Sequence, residues 1–246
     1  LQAGAATTLV SLLVDEGRLD EAQARLGDLG TGSPAERAAL TRRVALGWAR
    51  AGQLDKAEAL VASDSSVDGL AVRGRLRLFR GDVEGARRLL VAAGPFAGGR
   101  EAGAERLALL ALVQPIERAQ VPALGAALLA AERGDTTAAV EQLERTAGEL
   151  GATGGGPELL LLAGRMELGR NAPESAERLF LAAKDARNSS AAPAALLELA
   201  RMALARGRPG EAIPYLETLI LEHAPSALVP QARRLLDEAR GAVPRS

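Results

Sequence analysis

Few residues of this chain could do acid–base, nucleophilic or metal chemistry. His223 is the only histidine among 246 residues and cysteine is absent, so thiolate sites, disulfides and multi-histidine metal sites are excluded within the chain. A catalytic triad would have to be built around this single imidazole. We therefore interpret His223 as a partly exposed residue near a helix end, and we predict no catalytic residue and no metal site.

Two other patterns could suggest an enzyme. The glycine-rich run from Gly151 to Gly156 lacks the Gly-Lys-Ser/Thr ending of a phosphate loop, and no strand pattern precedes it. Glu141 and Glu144 share a helix face with Arg145, as solvated ion-pair stripes do. We interpret the run as a linker and the carboxylates as surface residues, and we predict a protein that is not an enzyme and needs no cofactor.

The charge of the chain argues against nucleic acid as a partner. The formal net charge is -1, with 14 acidic and 15 basic residues before Gln114 and 17 acidic and 15 basic residues after it, so neither half is charge-biased. No run approaches the roughly 20 apolar residues that cross a bilayer, so we expect no direct membrane insertion. The sequence leaves the oligomeric state open.

One pattern recurs six times and organises the whole chain. A small residue is followed seven positions later by a turn residue, and five positions after that by an alanine. The six occurrences are Val10/Gly17/Ala22, Ala45/Gly52/Ala57, Gly74/Gly81/Ala86, Ala127/Gly134/Ala139, Gly164/Asn171/Ala176 and Ala200/Gly207/Ala212.

This pattern predicts stacked helical hairpins. Successive turn residues are 35, 29, 53, 37 and 36 positions apart, close to a repeat of about 34 residues in all but one interval. Small residues let two helix axes approach to the roughly 8 to 10 Å of close packing. Glycine, or asparagine, ends the first helix with a positive φ. The predicted pairs are 4–16 with 19–29, 34–51 with 54–62, 67–80 with 83–93, 117–133 with 136–150, 157–169 with 173–187, and 192–206 with 209–223.

Two further helices complete the prediction. The long third interval contains an apolar helix near 101–113, and residues 226–240 form an amphipathic helix that should cap the stack. We predict a single domain over 1–246, because Leu107, Leu110 and Val113 are too apolar to leave in water. The alternative is a joint at 94–115 between 1–93, with three repeats, and 116–246, with three repeats and the capping helix.

The residues that carry the pattern resemble tetratricopeptide repeats over about 3–240. The best matches are Leu46 to Ala57 and Gly207 to Ala212, and a large residue follows four positions after each alanine, as at Leu90 and Phe180. The resemblance implies an all-α, right-handed superhelical solenoid of about six antiparallel helix pairs. Trp48 then reads as a packing residue between repeats, with a partner contact as the alternative.

The last unit carries a second, narrower resemblance. Residues 215–225 and 227–235 are similar to the repeats of bacterial envelope-assembly and periplasmic scaffold proteins. This implies an extracytoplasmic adaptor, with the cytoplasm as the alternative compartment. Because the chain begins Leu1-Gln2-Ala3-Gly4, we expect an upstream segment in the full protein.

The resemblance also implies a partner-binding face formed by the first helix of each pair. The residues projected onto this face are Arg42, Leu46, Arg50, Arg75, Phe79, Leu128, Arg165 and Arg201. Guanidinium groups donate paired hydrogen bonds to carboxylates, so we expect a protein or peptide partner that carries acidic residues. The function predicted is an interaction scaffold. Its alternative is an accessory region of a larger enzyme or regulator, and the alternative for the arginines is ordinary solvation.

Overall fold

The chain is helical throughout the residues that the structure describes. The structure is a computed structural model, and it describes residues 2–27, 33–94, 100–186 and 189–242. Within them it contains the helices α1 Gln2–Asp15, α2 Leu19–Gly27, α3 Pro34–Arg50, α4 Leu54–Val61, α5 Val67–Phe79, α6 Val83–Ala93, α7 Arg100–Val113, α8 Pro122–Glu132, α9 Thr136–Leu150, α10 Gly156–Gly169, α11 Pro173–Lys184, α12 Ala191–Ala205, α13 Pro209–Glu222 and α14 Val229–Ala242. The all-α prediction is confirmed, and no named strand occurs in these ranges.

Some sequence predictions fall outside the described residues. They are the start at Leu1, the last residues of the predicted helices 19–29 and 173–187, and residues 95–99 of the predicted joint. Every helix among the described residues is too short or too polar to span a lipid bilayer.

The helices form two compact units. The first comprises residues 1–113 and 118–135, and the second comprises 114–117 and 136–246. In the first unit α1 packs on α2, α3 on α4 and α5 on α6, and α8 packs on α5 and α3. In the second unit each of α9 to α13 packs on the helix that follows it. The pairing of 117–133 with 136–150 and the number of domains stay predictions.

All six predicted turn residues have a positive φ, from 59° at Asn171 to 82° at Gly52. At Gly52 the amide donates to the carbonyl of Ala49 at 2.9 Å, and the amide of Gln53 donates to that of Trp48 at 2.9 Å. These are the two bonds of a Schellman motif, which ends a helix when its next residue can adopt a left-handed conformation. The amide after each of the other five turn residues makes the same bond to the carbonyl five positions earlier: Arg18 to Leu13, Asp82 to Arg77, Asp135 to Ala130, Ala172 to Glu167 and Arg208 to Ala203.

The small residue of the pattern lies where two helices approach each other. A Cβ on Gly74 would lie 3.0 Å from Cγ of Leu90, and a Cβ on Gly164 would lie 2.5 Å from Cε1 of Phe180. Both partners are the large residue four positions after the alanine. The pattern therefore combines a backbone requirement at the turn with a space requirement at the helix contact.

Helix α8 begins five residues later than predicted. Pro122 takes its first position and disfavours a helical conformation at Val121, which has φ -136° and ψ 78°. The segment before Pro122 bonds to the α5–α6 turn instead, through Val121 N to Gly81 O at 2.8 Å and Val83 N to Ala119 O at 2.9 Å. Tertiary hydrogen bonds thus replace the first helical turn that the sequence suggested.

The last helix caps the second unit as predicted, although it starts at Val229 rather than at residue 226. Its buried residues Val229, Ala232 and Leu236 join one apolar cluster with residues of α12 and α13, among them Leu216. The opposite face carries exposed charged residues, which is why this helix can end a stack.

Candidate functional site

The projected arginines lie on first helices, and acids of the same chain pair with each of them. On α3, Arg42 Nη1 donates to Oδ2 of Asp64 at 2.9 Å, and its Nη2 lies 3.6 Å from Oδ2 of Asp68. The Arg42 side chain is only 14% exposed. The Arg42 side chain therefore links α3 to the start of α5.

Asp64 also joins this contact to a helix cap. The Ser66 hydroxyl donates to Oδ1 of Asp64 at 2.6 Å and accepts from the amide of Gly69 at 3.1 Å, which caps α5. Burial acts to raise the pKa of Asp64, but hydrogen bonds from Ser66 and Arg42 outweigh it and hold that pKa below its ordinary value of 3.8. The carboxylate therefore stays ionised beside Arg42.

Arg50 and Arg75 share one carboxylate of α8. Nε of Arg50 lies 3.6 Å from Oε1 of Glu132, and Arg75 Nη2 donates to Oε2 of the same residue. Arg133, next in the chain, donates from Nε to the carbonyl of Arg50 at 2.7 Å. Three first helices of the first unit, α3, α5 and α8, are thus joined through the ends of their charged side chains.

The second unit repeats this arrangement with fewer acids. On α12, Glu198 accepts from Nε and Nη2 of Arg165 at 3.2 Å, and from Nη1 of Arg201 at 3.3 Å. Glu198 is 14% exposed, whereas the two arginine side chains are 49% and 44% exposed. One covered carboxylate therefore lies beside two guanidinium groups that face solvent, with a net charge of +1.

The projected apolar residues are less accessible than the arginines. Phe79 and Leu128 are buried, and Leu46 is half-buried. The guanidinium of Arg75 lies over the ring of Phe79, with Cζ 5.8 Å from its centroid. Phe79 and Leu128 therefore belong to the core, and we leave them out of the proposed surface.

The sequence did not reveal which acids pair with these arginines. Only Glu198, three positions before Arg201, had a local signal as a neighbour on the same helix. Asp64 lies 22 residues from Arg42, and Glu132 lies 57 residues from Arg75 and 82 from Arg50, so no helical spacing could identify them.

Trp48 lies inside the first unit and is 5% exposed. Its Nε1 donates to Oε1 of Gln23 on α2 at 2.9 Å, and Nζ of Lys56 on α4 lies 3.9 Å from the ring centroid. The interpretation as a packing residue is confirmed. His223 follows α13 and is half-buried, as expected for a helix-terminal residue.

Among the described residues, no group of three or more histidine and carboxylate side chains is arranged so that it could hold a metal ion. The arginine–carboxylate pairs can exchange ion-pair partners and donate hydrogen bonds.

No protein-family model matches the chain, and no curated protein matches it. Its structure is similar to the crystal structure of the P58(IPK) TPR domain, with a TM-score of 0.39 and 17% sequence identity over 98% of this chain. The chain spans 65% of that chain, just under two thirds of its length. By its own geometry, the described part of the chain is an all-helical protein in which the same helix-ending turn recurs six times.

Proposed function

We propose that the chain is a non-enzymatic interaction scaffold that binds a segment of a protein partner on the first helices of its second unit. The observation that carries the proposal is the group formed by Arg165, Arg201 and Glu198. Two solvent-facing guanidinium groups share one covered carboxylate, so the group has hydrogen-bond donors left over. A partner carboxylate supplies the acceptor that this group lacks.

The partner of this surface is an acidic peptide segment. Each guanidinium has five N–H donors in a planar fork that matches a carboxylate, and Glu198 uses two from Arg165 and one from Arg201. Because Glu198 fixes both side chains, less rotational freedom is lost when a partner binds. In the first unit the acids Asp64, Asp68 and Glu132 already serve Arg42, Arg50 and Arg75, which is why we assign the primary contact to the second unit.

A random library of displayed 16-residue peptides, selected on the purified chain, tests the proposal. We expect selected peptides to be enriched in Asp and Glu. The double variant Arg165→Glu and Arg201→Glu should bind these peptides at least about tenfold more weakly than the parent chain, because like charges then face the ligand.

Arg178→Glu and Arg240→Glu together make a matched control. Both are more than half-exposed, both pair with a glutamate of another helix, and the change in net charge is the same. The control should bind the selected peptides as the parent does. If the charge-reversed first-helix variant retains the same peptides with the same affinity, or if no acidic peptides are enriched, the proposal is wrong.

A further inference from the structure

Helix α7 of the first unit brings charged side chains to the projected binding face. Nη1 of Arg75 donates to Oε1 of Glu105 on α7 at 2.7 Å, and Nη1 of Arg106 lies 3.7 Å from Oδ1 of Asp68. Asp68 and Arg75 are seven positions apart on α5 and so lie on the same helix face, about 10 Å apart along its axis. Two neighbouring residues of α7 thus reach two opposite charges on that face.

The two parts of α7 are held differently. At its C-terminal end Leu112 and Val113 are buried, and Nη2 of Arg87 on α6 donates to the carbonyl of Val113 at 2.9 Å. Around Glu105 the exposure alternates: Glu105 is 53% exposed, Arg106 is buried, and Leu107 is 49% exposed, contrary to the sequence expectation that it would be covered. Helix α7 is therefore held to α6 near its end and, through Arg106 Nε, at the carbonyl of Gly94 that follows α6.

A cavity of about 230 Å³ lies between α7 and the helices α3 and α5. Its walls combine aliphatic side chains with both signs of charge: Ala39, Arg42, Asp68, Ala71, Val72, Arg75, Ala102, Glu105, Arg106 and Leu109. The middle of α7 therefore lies over this face without filling the space beneath it.

The carboxylate that α7 supplies is replaceable. Arg75 keeps Glu132 as a second partner when Glu105 leaves, so no buried guanidinium is left unpaired. A half-exposed ion pair of this kind contributes little to stability, because water screens it.

We propose that the α3–α5 face of the first unit receives an amphipathic partner helix that carries a carboxylate, an arginine directly after it and an aliphatic residue four positions after the carboxylate, and that α7 is an internal competitor for it. Glu105, Arg106 and Leu109 of α7 show the side chains that the face accepts. Because α7 is tethered, its effective concentration is in the millimolar range, and a free helix must compete with it. The proposal adds a second binding surface and rests on the proposed function of the chain as an interaction scaffold.

Charge reversal at Glu105 tests the competition in the full chain. In Glu105→Lys the new ammonium group faces Arg75, so α7 should leave the face. We expect amide hydrogen exchange in α7 to become at least about tenfold faster, with unchanged exchange in α3 and α5. Glu84→Lys on α6 is the matched control, since Glu84 is also half-exposed and pairs with Arg88 one turn away.

The binding probe is a labelled synthetic peptide with the sequence of residues 100–113, measured by fluorescence anisotropy. We expect it to bind Glu105→Lys at least about tenfold more tightly than the parent chain or the Glu84→Lys control. The same peptide with lysine in place of Glu105 should bind all three proteins at least about tenfold more weakly.

Unchanged exchange in α7, or equal affinity of the peptide for parent and Glu105→Lys, would overturn the inference. The inference would also be overturned if the peptide with lysine in place of Glu105 bound as tightly as the unmodified peptide. Circular dichroism of Glu105→Lys verifies that the helices remain. The selection of acidic peptides tests Arg165 and Arg201 in the second unit, whereas the Glu105→Lys experiments test the first unit. A failure of the α7 inference can therefore be distinguished from a failure of the scaffold function.

Discussion

Phe180 packs its ring edge directly against the backbone of Gly164. The ring is fully buried, and a Cβ placed on residue 164 would lie 2.5 Å from Cε1 and 2.8 Å from Cδ1. This contact joins α10 to α11 within the second unit, and Gly74 and Leu90 make a looser version of it in the first. The contact explains why a glycine precedes the turns at Gly81 and Asn171 by seven positions.

We predict that Gly164→Ala lowers the free energy of unfolding by about 1 to 3 kcal/mol, because the rigid ring must move or the helices must separate. Urea denaturation followed by circular dichroism measures the change. Adding Phe180→Leu should recover part of the loss by making room. Gly169→Ala on the same helix is the control, since no atom lies within 4 Å of its added Cβ, and it should be neutral or stabilising by up to about 1 kcal/mol. Equal effects at both glycines would contradict the prediction.

Gly125 in the first unit is also expected to tolerate no side chain. Its Cβ would lie 2.5 Å from the amide nitrogen of Gly81 and 2.7 Å from the carbonyl oxygens of Leu78 and Phe79. Gly125→Ala should loosen α8 from α5 and cost at least about 1 to 3 kcal/mol, because backbone atoms cannot rotate away. Hydrogen exchange should show loss of protection in α8. Gly148→Ala, which has space around it on α9, should leave exchange unchanged.

The hydrogen bond from Trp48 to Gln23 should contribute measurably to stability. Gln23→Ala leaves the buried indole N–H without its acceptor, so we expect a loss of about 1 to 3 kcal/mol in the free energy of unfolding. Because Trp48 is the only tryptophan, its fluorescence reports on the first unit. Gln53→Ala is the control, since Gln53 is exposed and its side chain makes no capping bond. A Gln23 variant as stable as the control would refute this role.

The depressed pKa of Asp64 predicts a loss of stability in acid. The unfolded chain has the ordinary pKa near 3.8 and the folded chain a lower one, so both are ionised above about pH 5 and the stabilisation is complete there. As the pH falls below that value, the unfolded state binds a proton first, and the contribution is lost by the time the pH is below the folded pKa.

Asp64→Asn should therefore flatten the fall in unfolding free energy as the pH drops below about 5, measured by urea titration at each pH. Ser66→Ala removes one of the hydrogen bonds that lower the pKa, so its pH dependence should be intermediate. Identical pH profiles for the three proteins would show that Asp64 does not supply the effect.

The sequence by itself determined the helices, their turns and the positions of the helix contacts. These features are local. Apolar residues spaced three and four positions apart define a helix face, and a residue in the left-handed conformation such as Gly52 ends the helix. A small residue such as Gly164 leaves room for a large side chain of the next helix. The start of α8 departed furthest from the prediction, because the hydrogen bond of Val121 to Gly81 competes with its first turn.

Only the tertiary structure decided which charges meet. Arg75 contacts Glu105 and Glu132, 30 and 57 residues away, and neither distance follows from a helical period. The burial of Phe79 and the exposure of Arg165 were likewise invisible in the sequence, since both occupy the same class of position on first helices. Ion pairs and side-chain exposure depend on neighbouring helices, and folding alone brings those neighbours together.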